Sequence, residues 1–152
     1  MSNLAEVPSI RLRPATSNDA EFAYEVLEQT MRIYVEATWG QWSEARSREE
    51  MTKDASDGQS QIIELGSLRI GLLRLEELST HLQLEQLFVL PQYQRQGIGT
   101  LLLERVLEQA RIRHLPVRLR VLRVNPARGL YERKGFKVVS ETPERFIMEH
   151  AL

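Results

Sequence analysis

The 152-residue chain has no cysteine, few aromatic residues (7%) and no apolar run near the ~18 residues that a membrane span needs. Without cysteine there can be no disulfide, no thiolate zinc site and no cysteine nucleophile. The Met1–Pro8 segment has neither a basic start nor an apolar centre, so no leader is expected and a cytoplasmic location follows. No repeat, low-complexity tract or linker interrupts the chain, which points to one domain over residues 1–152 with a core at 9–150. What is present is ordinary for a globular protein: 42% hydrophobic and 27% charged residues, enough to build a core without staples.

Charge is nearly balanced but unevenly placed. Residues 1–60 carry 6 basic and 11 acidic groups, residues 61–110 carry 4 and 6, and residues 111–152 carry 10 and 4. The basic third is mostly arginine, which suits bidentate phosphate contact, and a solvated basic face explains it equally well. Nucleic acid is not the expected partner, because this third adds neither stacking aromatics nor a nucleic-acid fold signature.

Alternation at Ile10 to Arg13 predicts a first strand ended by Pro14. Thr16 or Ser17 is expected to cap a helix starting near Asp19, with Phe22, Val26 and Ile33 facing inward and Gly40 breaking the pattern. Ser47 and Glu50 read as the capping box of a second, more polar helix ending before Gly58. From Gln61 to Val89 the period becomes two, with reversals at Gly66-Ser67 and Ser79-Thr80, as in an antiparallel meander. Within it Leu82 and Leu84 are out of phase with Leu87 and Val89. A bulge near Glu85-Gln86-Leu87 would bring the two pairs to one face, and a strand buried on both faces would also tolerate the sequence. Next come a polar loop, a helix with Leu101, Leu102, Val106 and Ala110 inward, and a strand alternating Val117, Leu119 and Val121 with arginines. Asn125 caps a short helix with Pro126 at its start and Gly135 after its end, and two strands around Pro143 close the chain.

Strand, turn and helix start meet at Gln94-Arg95-Gln96-Gly97-Ile98-Gly99. Helix N-termini present unpaired amides, and glycines admit a bulky anion, so this segment outlines a pyrophosphate cradle; close packing of the helix on the sheet is an equal reason for both glycines. A dinucleotide fingerprint would need glycine where Leu102 stands, and a P-loop would need Gly-Lys-Ser/Thr, which is missing.

The same segment resembles the Q/R-x-x-G-x-G/A motif of the GNAT superfamily of N-acetyltransferases. Asn125-Pro126-Ala127-Arg128-Gly129-Leu130-Tyr131-Glu132-Arg133-Lys134-Gly135-Phe136 resembles that family's second block, about 30 residues on. The resemblance implies an α+β fold, a largely antiparallel mixed sheet of about seven strands with four helices in the order β-α-α-β-β-β-α-β-α-β-β. It also implies an acetyl-CoA-dependent enzyme that acetylates an amine of a small molecule or protein directly, with homodimer formation left open. His81, His114 and His150 stand too far apart to form a ligand pair on one element, so no metal is expected. A sensor that binds CoA without catalysis is the alternative of another class.

By that resemblance the amides of Arg95, Gln96, Gly97, Ile98, Gly99 and Thr100, together with Gln94, hold the pyrophosphate. Leu87, Phe88 and Val89 pair with the pantetheine arm, and Arg95 and Arg128 reach the adenosine phosphates. Asn125 and Ala127 lie along the cofactor, Asn125 serving also as an N-cap. A bulge amide, Leu87 or Phe88, would receive charge on the thioester oxygen, and Tyr131 would protonate the leaving thiolate. Glu85 or water is the base. Tyr34, Trp39 and Trp42 are expected to wall the acceptor pocket, since aromatics suit a cationic amine, although core packing explains the tryptophans equally well.

Overall fold

The computed structural model describes residues 9–152; the Met1–Pro8 segment, read above as lacking a leader, lies outside the described residues. Seven strands form one sheet, β1 (Ile10–Pro14), β2 (Ser60–Leu65), β3 (Leu68–Glu77), β4 (Leu82–Val89), β5 (Val117–Leu122), β6 (Lys137–Glu141) and β7 (Arg145–His150), in the order β1-β2-β3-β4-β5-β7-β6. Every pairing is antiparallel except β4 with β5. The helices are α1 (Ala20–Trp39), α2 (Glu44–Ser56), α3 (Ile98–Arg113) and α4 (Arg128–Arg133), so the element order and the α+β class follow the expectation. Among the described residues no helix is long and apolar enough to cross a membrane.

The sheet is covered on both faces. Phe22, Ala23 and Val26 of α1 and Met51 of α2 bury against Ile62 and Leu72; Ile98, Leu102, Leu103, Val106 and Ala110 of α3 bury against Ile63, Leu73, Leu84 and Leu119 on the other face. Two expected inward residues face outward. Ile33 is 68% exposed because α1 meets the sheet through its first two turns and then overhangs, and Leu101 is 38% exposed because α3 packs through Leu102 and Leu103. The second helix also starts earlier than expected. Ser43, not Ser47, is the N-cap, accepting a hydrogen bond from the Arg46 amide at 3.2 Å, so Ser47 and Glu50 lie inside α2 and no capping box forms between them.

Asp19 ties the first strand to α1. It closes a capping box with Thr16, whose amide donates to Oδ2 at 2.9 Å, and it accepts from both Arg13 Nη atoms at 2.9 and 3.0 Å and from Arg69 at 3.3 Å. These bonds, those of Arg13 above all, hold the buried Asp19 carboxyl far below the usual carboxylate range. A depressed folded-state pKa gives stability that is present above about pH 4 and is lost as pH falls toward the folded value. The denaturation midpoint of the wild type is therefore expected to fall below about pH 4, and Asp19→Asn is expected to lose that part of the acid dependence. Parallel pH curves for the two proteins would remove Asp19 from the account.

Candidate active site

The site begins with one extra residue. In the β3–β4 ladder Arg74 faces Gln86 and Leu75 faces Leu84, which leaves Glu85 unpaired. The bulge gives Leu82, Leu84, Leu87 and Val89 to the α3 face and Phe88 to the α1–α2 face, so of the two readings of this strand the bulge is the one found. Pairing between β4 and β5 covers only Leu82–Leu84 against Val117–Leu119, and past the bulge the strands part.

Backbone direction in that gap follows from the ladder. The Leu90 amide donates to Ile70 O at 2.8 Å, and antiparallel pairing alternates, so Phe88 also turns its N–H and C=O toward β3. Leu87 and Val89 turn theirs toward the gap, where Val89 O accepts from Gln94 Nε2 at 2.9 Å. Of the two bulge amides considered from the sequence, Leu87 is the one that faces the opening.

Two cavities occupy the gap and meet. One, of 440 Å³, runs past Val89, Gln94, Arg95, Gly97, Ile98, Gly99, Thr100 and Ala127; the other, of 630 Å³, runs past Trp39, Trp42, Glu50, Glu85 and Gln86. Met31, Leu87, Phe88, Asn125 and Tyr131 line both, so a molecule lying in each would touch the other there.

The first arm is built to face an anion. Gly97 takes φ +80° and Arg95 φ 63°, left-handed conformations that turn the chain sharply into α3. The first intrahelical bond runs from Leu101 N to Gly97 O at 2.9 Å, leaving the Ile98, Gly99 and Thr100 amides unpaired by the helix. A Cβ at Gly97 would meet nothing within 4 Å and one at Gly99 would sit 3.8 Å from Leu130, so neither glycine is needed for tight packing. Open space above a ring of free amides at the positive end of a 16-residue helix fits a pyrophosphate.

Several expected residues lie elsewhere. Gln96 does not line the first arm, and its Nε2 reaches Gln92 O at 3.4 Å. Arg128 does not either: it bonds Glu132 at 3.2 Å and stacks 4.0 Å over Phe146, while Arg133, missed in the sequence, lines the arm. Tyr34 belongs to this arm and not to the acceptor side. Much of the basic third is occupied by acids, as in Arg118–Glu149, Arg123–Glu141 and Lys134–Glu104.

At the junction, Asn125 Oδ1 accepts from the Ala127 amide at 2.9 Å, while its Nδ2 has only Met31 Sδ at 3.8 Å. The amide thus closes the turn with its oxygen and commits its nitrogen only to a long contact with sulfur. Tyr131 packs edge-on to Phe136, ring centroids 5.7 Å apart, and desolvation pushes its phenol up to about 12. In the second arm Trp39 is 45% exposed beneath Arg145, and Trp42 donates to the Tyr24 hydroxyl at 3.2 Å. Glu85 sits 3.4 Å from Arg120. Glu50 was missed: with the cap at Ser43, it falls on the arm-facing side of α2 beside Arg46 and Ser47.

Residues 56–138 match the family model described as the acetyltransferase (GNAT) domain. The chain belongs to the GNAT family, a family of acetyl-CoA-dependent acyltransferases. Solved structures agree in fold. The PaiA N-acetyltransferase of Thermoplasma acidophilum, in complex with coenzyme A, is 23% identical, with 95% of this chain and 99% of that one covered and a TM-score of 0.72. An acetyltransferase of Thermus thermophilus gives 0.76 at 19% identity over 96% and 99%. Arabidopsis thaliana Naa50, bound to the bisubstrate analogue CoA-Ac-MVNAL, gives 0.65 at 16% identity over 95% and 99%. No curated protein sequence is significantly similar to the chain.

Proposed function

We propose that this protein, acting as a single domain, transfers an acetyl group from acetyl-CoA directly to a primary amine of a small molecule or protein. The observation that carries the reading is the meeting of an anion-facing arm and a polar arm at Leu87, Asn125 and Tyr131. Acetyl-CoA supplies the acetyl thioester. The Ile98, Gly99 and Thr100 amides, with Arg95 and Arg133, bind its phosphates, and the gap-facing backbone of Leu87 and Val89 pairs with the pantetheine arm as an added strand. Asn125 Nδ2 exchanges its long contact with Met31 Sδ for a pantetheine carbonyl.

When the amine nitrogen bonds to the thioester carbon, negative charge grows on the oxygen, and the Leu87 amide is placed to receive it. The carbon–sulfur bond then breaks, the Tyr131 hydroxyl gives the departing sulfur its proton, and the proton still held by the new amide nitrogen restores the phenol, directly or through water. The ammonium proton of the acceptor leaves earlier to Glu85 or to water. Glu85 lines the acceptor arm, 3.4 Å from Arg120.

Saturating acetyl-CoA is expected to stabilise the fold: at one hundred times Kd by about 2.7 kcal/mol, or roughly 5–10 °C in Tm. Thiol release across a panel of primary amines then separates an enzyme from a CoA-binding sensor. A protein stabilised by acetyl-CoA that releases thiol with none of the amines would be the sensor; one that is not stabilised would overturn the reading.

A further inference from the structure

One wall of the acceptor arm is a connection that its own backbone does not hold. Between Trp39, the last residue of α1, and Glu44, the first of α2, the Gly40 amide closes α1 on Glu36 O at 2.7 Å and the Ser43 hydroxyl caps α2. The Gln41 and Trp42 amides have no main-chain hydrogen bond among the described residues. Gln41, Trp42 and Ser43 all line the arm, so the wall here is only as steady as the side chain that anchors it.

That side chain is Trp42. Its half-buried indole packs on the cluster of Phe22, Tyr24 and Met51 and donates to the Tyr24 hydroxyl at 3.2 Å. Tyr24 is 3% exposed and lines neither cavity; its hydroxyl donates in turn to Glu28 Oε2 at 3.3 Å, one turn along α1. An indole N–H only donates and a carboxylate only accepts, so the phenol has one arrangement, its hydrogen to Glu28 and a lone pair to Trp42. Arg32 holds Glu28 from the other side at 3.0 Å. Arg48 of α2 lies 4.1 Å over the Tyr24 ring while bonding Glu21 at 2.6 Å and Glu44 at 2.9 Å, so it covers the phenol and joins the two helices above it. A hydrogen bond in so desolvated a place is strong, and losing its acceptor would leave the indole donor unpaired. Packing alone would be served by a phenylalanine at position 24; the hydroxyl is needed only for the bonds.

We propose that Tyr24 is a positioning residue for the transfer reaction: without touching either substrate, its hydroxyl holds the Trp42 indole in place and so fixes the wall against which the acceptor amine is oriented. The inference rests on the amine-acetylating reading and deepens it. No residue of the Gly97 turn takes part in the Trp42–Tyr24–Glu28 chain, so the effect falls on the acceptor and not on acetyl-CoA.

Tyr24→Phe removes the hydroxyl and keeps the ring beneath Arg48. KM for the best amine of the panel is expected to rise about five-fold or more, with kcat and the KM for acetyl-CoA within about two-fold of wild type. Trp42→Phe is expected to raise the same KM, and adding Tyr24→Phe to it to change nothing further, because the bond is already gone. The indole gives a readout independent of turnover. The chain has two tryptophans, so in Trp39→Phe the emission is that of Trp42 alone. In that background Tyr24→Phe is expected to raise the acrylamide quenching constant about two-fold or more and to shift the emission to the red, as a released donor turns to water. Unchanged quenching, KM values for amine and acetyl-CoA that rise together, or a full effect of Tyr24→Phe in Trp42→Phe would overturn the proposal while leaving amine acetylation intact. Increased quenching in a protein that acetylates no amine would keep Tyr24 as the anchor of this wall and discard the transferase reading.

Discussion

Gly71→Ala is expected to destabilise the protein by about 3 kcal/mol or more, a fall in Tm of roughly 6–12 °C, and to lower acetyl transfer in whatever fraction still folds. A Cβ on Gly71 would lie 2.1 Å from Phe88 O and 3.1 Å from both Phe88 C and Ile63 Cδ1. The first two are backbone atoms of β4, so no side chain can turn away to make room. Gly71 is also pinned from the other side, because β3 carries an irregularity against β2 beside it, with Arg69 facing Glu64 and Gly71 facing Ile63. The relief left to the chain is to part β3 from β4 at the pair Gly71–Val89, and that strand is the one that turns Leu87 toward the gap. Circular dichroism melting and thiol release read the two effects separately. A Tm within two degrees of wild type with unchanged kcat/KM would mean that β4 yields there at no cost, and the rigid presentation of the Leu87 amide would be lost with it.

What the sequence made legible, and what it hid, divides along the range of the interactions involved. The glycine turn and the Asn125–Tyr131 block are each local: a left-handed Gly97, and the Asn125 bond to the Ala127 amide with the left-handed Gly135 after α4, although the helix itself begins at Arg128 with Ala127, not Asn125, at its N-cap. The bulge was readable for a similar reason, since a one-residue phase slip between Leu84 and Leu87 has few backbone remedies. Gly71 carried no signal, because the constraint on it is set by Phe88, a residue on the next strand.

The acceptor side was hidden because α1 changes partner along its length. Phe22 and Val26 meet the sheet, but Met31, Tyr34, Val35 and Trp39 overhang the gap, so a stripe extended from Val26 to Ile33 picks the solvent side. The same change of partner splits the aromatic residues, giving Tyr34 to the arm beside Gly97 and Trp39 to the other. A cap placed four residues late, at Ser47 and not Ser43, concealed Glu50 by giving it a local role. Arg128 and Arg133 were separated by Phe146 and Glu132, whose stacking and pairing with Arg128 leave Arg133 on the arm.

Tyr131→Phe is expected to lower kcat at least ten-fold while leaving acetyl-CoA affinity and Tm close to wild type. The substitution isolates the hydroxyl, because phenylalanine keeps the edge contact with Phe136 and the same volume at the junction of the arms. A phenol pushed up to about 12 by desolvation is fully protonated at neutral pH, so the proton it is asked to give is always present. Its affinity for that proton is higher than that of an ordinary thiol, near 8.5, so transfer gains most at the moment when sulfur carries its full charge in the same desolvated place. Two readouts follow. Acetyl-CoA binding by calorimetry should barely change, since the proposed phosphate site, the Gly97 turn, is at the far end of the arm. The wild-type alkaline limb of kcat/KM should show no Tyr131 titration below roughly pH 11, and one ionisation at higher pH should disappear in Tyr131→Phe. Turnover unchanged in the variant would give the proton to water and leave Tyr131 as packing for Phe136.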